Sequence, residues 1–243
     1  MAIRKSKFDW SVFDRHDLLA YLWSLYPTIA NQEMTIPKFH RILGTFIQKQ
    51  IPIKLKKLSD TKVEYDTVWI GGAYYSDLDK LNKKSIELVI VYSKLDKIKL
   101  SKKRYLRVCY NVANTIMHEI IHMRQYRRRK FKTLPEYASN AEKTEQRKEQ
   151  TYLGHSDEID AYGFNIACEL MDKFKNDTTK VIDYLNEDQN GLRRKQNSWR
   201  MYLKAFNHNH EHPIIKRTKK KIVRYLPYAI YGKPYKNKEW ISN

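Results

Sequence analysis

Two histidines flank a glutamate near the middle of the chain. The run HEIIH occupies positions 118–122 and matches the pattern HExxH. Residues four apart differ by about 40° around a helix, so the imidazoles of His118 and His122 project from one face and can bind one Zn²⁺ ion. Glu119 then lies where a carboxylate can hold a zinc-activated water. The pattern predicts two metal ligands and, in Glu119, a general base.

The composition around this run supports a site. Glu119 is the only acidic residue between positions 101 and 135. Asn111 and Thr115 continue the line of His118 and His122 along the predicted helix, whereas apolar residues occupy another face. We therefore expect one face of the helix to pack on the core and a polar line to face a cleft.

The elements that must position these residues change in type along the chain. A long helix over 102–130 begins after Ser101, a residue type that caps helix N-termini. Segments 62–75 and 85–93 are rich in β-branched and aromatic residues and predict neighbouring antiparallel strands, with a bulge or turn at Gly71-Gly72. Further helices are predicted at 9–26, 37–49, 139–153, 157–174, 178–186 and 191–206. This order predicts an α+β chain.

A second segment, GHSDEIDAYGFNIACEL at 154–170, concentrates carboxylates in the first turn of its predicted helix. The helix dipole alone favours acids there, but it does not explain His155 beside them. HEIIH followed by this segment resembles the gluzincin metallopeptidases, in which a glutamate of a later helix, often in an ExxA motif, completes the zinc site. Residues 158–161 match ExxA, so the resemblance implies Glu158 as third ligand and Zn²⁺ as cofactor.

Two departures leave alternatives open. Some gluzincin branches place the ligand directly before the alanine, which would select Asp160. Glu158 and Asp160 point about 200° apart on a helix, so only one can face the metal, and we favour Glu158. Tyr162 stands where many relatives carry an aspartate that bonds a zinc histidine. That role would then pass to Asp160 or Asp157.

The resemblance also implies an architecture and a reaction. We expect a zincin-like α+β domain over 1–192, with a small antiparallel or mixed sheet packed on the HExxH helix and a mostly helical C-terminal half. The family binds extended peptide along an edge strand, and 85–93 is the nearest candidate. Peptide or protein would be the substrate, with Glu119 as general base. For the oxyanion we favour His155 as donor, and the alternatives are Tyr126, Tyr152 and Tyr162.

The charge of the chain suggests a second class of function. The net charge is +20, and residues 193–243, with 14 basic and two acidic residues, hold much of the excess. We treat 193–243 as a basic, aromatic C-terminal extension that could bind a polyanion or nucleic acid. Basic runs at 127–130, 193–195 and 216–221 are interleaved with Trp199, Tyr202, Phe206 and Tyr225, a mixture suited to phosphate contacts and base stacking.

On this alternative, the chain is a virion or assembly protein, or a non-specific nucleic-acid-binding protein, whose zinc site is structural or vestigial. Composition and the two motifs also resemble metallopeptidases encoded by tailed phages, which implies virion proteins as partners. No secretion signal or membrane-spanning apolar run is visible, so a soluble protein of the host-cell cytoplasm or the virion, not exported by the Sec route, is expected. Cys109 and Cys168 lie among apolar residues and predict buried, reduced thiols.

Overall fold

The computed structural model describes residues 14–134, 144–187 and 197–232. Contacts divide the described residues into two compact units, which meet in the chain between Arg124 and Gln125. The fold is α+β, as predicted, with all strands in the first unit and only helices in the described part of the second. None of the described helices is both long enough and apolar enough to cross a membrane. The predicted boundary between 192 and 193 stays a prediction.

Helices and short strands alternate in the first unit. Its elements are α1 (Arg15–Trp23), α2 (Tyr26–Ile29), β1 (Glu33–Thr35), α3 (Ile36–Gln50), β2 (Lys54–Ser59), β3 (Trp69–Tyr74), α4 (Ser76–Lys80), β4 (Ile86–Tyr92), β5 (Lys97–Lys99) and most of α5 (Lys102–Arg128). The predicted helix at 37–49 is confirmed as α3. The predicted helix at 9–26 is described only from residue 14, and there it divides at Ser24 into α1 and the short α2.

The strands form two small sheets. β1 pairs with β5 antiparallel, and the second sheet has the order β2-β4-β3, with β4 parallel to β2 and antiparallel to β3. The predicted antiparallel pairing of 62–75 with 85–93 is therefore confirmed for 69–74, whereas 62–68 form turns and irregular structure. The expectation that 85–93 supplies the edge strand is wrong, because β4 is central and buries alternate residues from Ile86 to Tyr92.

Edge strand β2 was missed because its sequence, KLKKLS, lacks the apolar alternation of a half-buried strand. Lysines on an exposed edge discourage pairing with other chains. The predicted bulge at Gly71-Gly72 is also wrong. Both glycines continue the regular antiparallel register of β3, opposite Val89 and Leu88 of β4.

The second unit contains the end of α5 followed by α6 (Glu145–Gly154), α7 (Ser156–Lys173), α8 (Thr178–Asn186), α9 (Ser198–Ala205) and α10 (Pro213–Ala229). The predicted helices at 157–174 and 178–186 are confirmed. Those at 139–153 and 191–206 are confirmed where described, and their first residues lie outside the described ranges. The mostly helical C-terminal half is therefore also confirmed.

Helix α10 was not predicted, although its buried residues follow helical spacing. Ile215, Thr218, Ile222 and Tyr225 lie on its buried side, and the Tyr225 ring meets that of Phe164 in α7 edge to face, with centroids 5.6 Å apart. The numerous lysines and arginines between these positions obscured the pattern. Residues 213–229 of the predicted extension are thus packed on α7.

Candidate metal centre

Helix α5 is continuous past the HExxH run and is buried around its middle. The Ser101 side chain accepts a hydrogen bond from the backbone N–H of Arg104 at 3.3 Å, which confirms the predicted cap. Nearly every residue from Val112 to Met123 is buried. The expected polar line facing a cleft is therefore wrong for its second half, because His118 and His122 are buried, whereas Asn111 and Thr115 retain appreciable exposure.

His118 and His122 point their Nε2 atoms at each other. These two atoms are 3.0 Å apart, and the ring planes are inclined at 79°. Two nitrogens bound to one tetrahedral zinc ion at about 2.0 to 2.1 Å would be about 3.3 Å apart. Both side chains are at most 8% exposed, and Glu119 between them is 6% exposed. The two imidazoles therefore have the separation and the burial of a metal-binding pair.

Among the described residues, one group of His, Cys, Asp and Glu side chains is arranged so that it could hold a metal ion. It consists of His118, His122 and Glu158, all buried, whose ligand atoms lie within 4.8 Å of one another. Glu158 is the third residue of α7. The structure thus brings together the three residues that the sequence singled out as ligands.

The start of α7 is fixed to the end of α5 through Asp157. Gln125 Nε2 donates to the Asp157 carbonyl oxygen at 3.0 Å, and the Arg129 guanidinium donates to both Asp157 carboxylate oxygens at 2.7 Å each. Bidentate pairs of this kind restrict orientation as well as distance. Gln125 and Arg129 come three and seven residues after His122 on the chain. These bonds therefore help to set the direction in which Glu158 projects.

His155 occupies the junction between α6 and α7. Its Nδ1 accepts the backbone N–H of Asp157 at 3.2 Å, so the side chain caps the N-terminus of α7. Only 3% of the residue is exposed. This contact gives His155 a positioning role for the segment that carries Glu158. Its proposed role as oxyanion donor stays a prediction.

Asp160, the alternative third ligand, is bonded elsewhere. Its carboxylate accepts from Lys221 Nζ at 2.5 Å, from the Tyr225 hydroxyl at 2.7 Å and from Gln125 Nε2 at 3.2 Å. Burial alone would raise the pKa of Asp160, but the hydrogen bonds from Lys221 and Tyr225 outweigh it and hold the pKa below its usual value. Asp160 therefore anchors α10 to α7 and does not belong to the group around His118.

Tyrosines surround Glu158. Desolvation by the surrounding protein raises the pKa of Tyr152, and the neighbouring Tyr162 and Glu158 raise it further. Tyr162, at the position where relatives carry aspartate, packs edge to face against Tyr152 and Tyr202. Burial, Asp157 and Glu158 raise the pKa of Tyr126, while Arg129 lowers it. Tyr152, one of the four oxyanion candidates, therefore lies next to the proposed ligand Glu158.

Strand β3 crosses α5 at Glu119, which the sequence reading missed. A Cβ atom built on Gly72 would lie 2.6 Å from Thr115 Cγ2 and 2.7 Å from Glu119 Oε1. A side chain at this position would force Thr115, Glu119 or the strand to move, so Gly72 allows the backbone of β3 to approach the carboxylate. Partial desolvation raises the pKa of Tyr75, the residue after β3, with smaller contributions from Glu87 and Glu119. A glycine inside a strand pattern is the available signal for such an approach.

Comparison of the chain with protein-family models, with curated proteins and with solved structures finds no match.

Proposed function

We propose that this protein is a zinc-dependent peptidase whose metal ligands are His118, His122 and Glu158. The observation that carries the proposal is the convergence of these three buried side chains, with Glu119 between the two histidines on α5. The peptidase reading also rests on the gluzincin resemblance of the two motifs.

The donor set favours a catalytic zinc ion. Structural zinc sites are closed by four protein ligands, usually with cysteines, whereas catalytic sites use three protein ligands and keep one position open. Two imidazoles and one carboxylate match the second class, and both cysteines of this chain are free and buried outside the group. Calcium and magnesium prefer oxygen ligands, so two histidines argue against them.

When bound, zinc supplies Lewis acidity that polarises a substrate carbonyl and makes water acidic enough to ionise near neutral pH. Glu119 supplies the proton chemistry in this proposal. Its carboxylate takes a proton from the attacking water and then delivers it to the leaving amine of the cleaved peptide bond. The close approach of β3 restricts the space in which the Glu119 carboxylate can move.

Strand β3 is the better candidate for binding an extended peptide. It is an edge strand with β4 on one side, and it passes beside Glu119 at Gly72. A peptide that adds as a strand to a sheet edge gains main-chain hydrogen bonds with that edge. Gly71 and Gly72 present a bare backbone, and exposed aromatic rings at Trp69 and Tyr75 flank them. This arrangement favours a substrate bound through its main chain.

Substitution of the base separates peptidase activity from metal binding. Glu119→Gln should lower the cleavage rate of fluorogenic peptides by about 10²- to 10⁴-fold, because it removes general base catalysis. Its zinc content, measured by elemental analysis, should remain at the wild-type stoichiometry. Glu149→Gln is the matched control, because Glu149 is an exposed glutamate of α6 and should leave activity unchanged.

Metal binding itself is tested by His118→Ala and by zinc titration. The variant should lose zinc. For the wild type, zinc at about 1,000 times its Kd should raise the free energy of unfolding by about 4 kcal/mol relative to the chelated protein. A wild-type protein purified without zinc and not stabilised by added zinc would refute the metal centre. A zinc-loaded protein that cleaves no peptide would instead favour the alternative of a structural or vestigial site.

A further inference from the structure

A basic concave surface lies in the second unit, formed by the end of α5, the first turn of α7 and one face of α10. It has a volume of about 550 Å³. Six cationic side chains line it, namely Arg128, Arg129, Arg217, Lys220, Lys221 and Arg224. Two carboxylates, Asp157 and Asp160, also line it. Because cations outnumber carboxylates, we call this surface the basic groove.

Two of the six cations are engaged with the two carboxylates. Arg129 pairs with Asp157 at 2.7 Å and Lys221 pairs with Asp160 at 2.5 Å. The other four, Arg128, Arg217, Lys220 and Arg224, are exposed, and none of them forms an ion pair with a described residue. The groove therefore presents a net charge of +4 that is not neutralised within the described structure.

The available cations are arranged along a line. Arg217, Lys220 and Arg224 occupy positions i, i+3 and i+7 of α10 and share one face over about 10 Å. Arg128 adds a fourth charge from the end of α5. A row of separated cations suits a ligand with repeated negative charges better than it suits a single small anion, which would be held by charges that converge on one point.

The groove offers no aromatic ring to a ligand, because no aromatic residue is among those that line it. The stacking predicted from the sequence also fails elsewhere in this unit. Trp199, Tyr202, Phe206 and Tyr225 are each at most 4% exposed and fill the core. The basic run at 193–195 lies outside the described residues. The groove can therefore contact a ligand through ion pairs, but it cannot stack aromatic rings on nucleic-acid bases.

We propose that the basic groove binds the phosphate backbone of nucleic acid without regard to sequence, using Arg128, Arg217, Lys220 and Arg224. This inference does not depend on the proposed peptidase function. Since the groove lacks stacking platforms, a duplex is expected to bind at least as well as a single strand. An acidic peptide carries similar charge without the regular phosphate spacing and is the competing ligand class.

Salt dependence of binding tests the proposal. Each phosphate contact with B-DNA contributes about −0.9 to the slope of log K against log salt. The triple variant Arg217→Gln/Lys220→Gln/Arg224→Gln should therefore reduce the magnitude of the wild-type slope by about 2.7, as measured by fluorescence anisotropy of a labelled duplex of arbitrary sequence between 50 and 200 mM salt. Melting followed by circular dichroism and zinc content should match the wild type, since the three side chains are exposed.

A matched control removes the same charge elsewhere. Lys83, Lys84 and Lys103 are exposed and form no ion pair with a described residue. The variant Lys83→Gln/Lys84→Gln/Lys103→Gln should keep a slope close to that of the wild type. Equal losses in both triple variants would show that net charge is responsible and would overturn the assignment to the groove.

Two competition measurements identify the ligand class. Unlabelled duplex should displace the labelled duplex, whereas poly-glutamate at the same concentration of negative charge should displace it poorly. Displacement by poly-glutamate as efficient as by duplex would overturn the assignment to nucleic acid. Tighter binding of a single strand than of the duplex would overturn the conclusion that only the backbone is contacted.

Discussion

Gly72 gives the sharpest test of the geometry around Glu119. It lies in the middle of β3 in regular register, and the substitution Gly72→Ala adds one methyl group at the place where the strand meets α5. The built Cβ is 2.6 Å from Thr115 Cγ2 and 2.7 Å from Glu119 Oε1. Neither separation is tolerated, so the side chains, the strand or both must move.

The size of the movement follows from these distances. An ordinary contact of about 3.4 Å or more requires Glu119 Oε1 to shift by about 0.7 Å and Thr115 Cγ2 by about 0.8 Å. Overpacking of this kind costs about 1 to 3 kcal/mol in the free energy of unfolding. A catalytic group misplaced by 1 Å can cost about 10²-fold in rate, so a shift of about 0.7 Å corresponds to roughly 25-fold.

Two measurements are needed, urea unfolding for stability and peptide cleavage for activity. The neighbouring substitution Gly71→Ala is the matched control, because a Cβ at Gly71 has no atom within 4 Å. It should change stability little and leave cleavage intact. Zinc content should be unaffected in both variants, since the atoms nearest to the Gly72 Cβ belong to Thr115 and Glu119 and not to the histidines.

A second-site change separates the two clashes. Thr115→Ser removes Cγ2, so in the Gly72→Ala background it should recover part of the lost stability while cleavage stays low, because the contact with Glu119 remains. If Gly72→Ala is as stable and as active as Gly71→Ala, then β3 does not approach Glu119 as described and the reasoning is refuted.

Two further predictions concern buried titratable groups. The lowered pKa of Asp160 means that its bonds to Lys221 and Tyr225 stabilise the fold above the unfolded-state pKa of about 4 and lose this effect as the pH falls through the folded-state pKa. Urea unfolding should therefore show that Asp160→Asn has a lower free energy of unfolding than the wild type near pH 6. This difference in free energy should shrink toward pH 3. A difference that stays constant with pH would contradict the ion pair. Burial raises the pKa of the Cys109 thiol to about 11, and Cys168 is also buried. A thiol reagent at about pH 8 should therefore modify neither cysteine in the folded protein and both cysteines after unfolding. Fast modification of the folded protein would contradict their burial.

The sequence predicted the helices and the ligand group well because each depends on local spacing. The HExxH run requires only that 102–128 be helical, and Ser101, together with the absence of glycine and proline from the helix, ensures this. Glu158 followed from the match to a motif and not from any contact that could be foreseen. The three residues are close in the described structure, as the prediction requires.

What the sequence did not reveal depends on contacts between distant segments. The central place of β4 arises from its pairing with the lysine-rich β2, which no periodicity indicated. The glycine pair predicts a bulge, whereas Gly72 serves the close approach of β3 to α5, a contact between distant segments that the local sequence does not indicate. The aromatic residues Trp199 and Tyr202 were read as a binding surface because spacing alone does not distinguish a buried ring from an exposed one.

The acidic residues at the start of α7 form ion pairs that position this helix. Asp157 and Asp160 lie on either side of Glu158 in the sequence. Asp157 pairs with Arg129, the residue after α5, and Asp160 pairs with Lys221 in α10. Because the two aspartates point in different directions from the same turn, pairing both fixes the rotation of α7 and hence the direction of Glu158. Part of the excess of basic residues is therefore needed to orient the proposed third ligand, and only the cations left over in the basic groove are available to a polyanion.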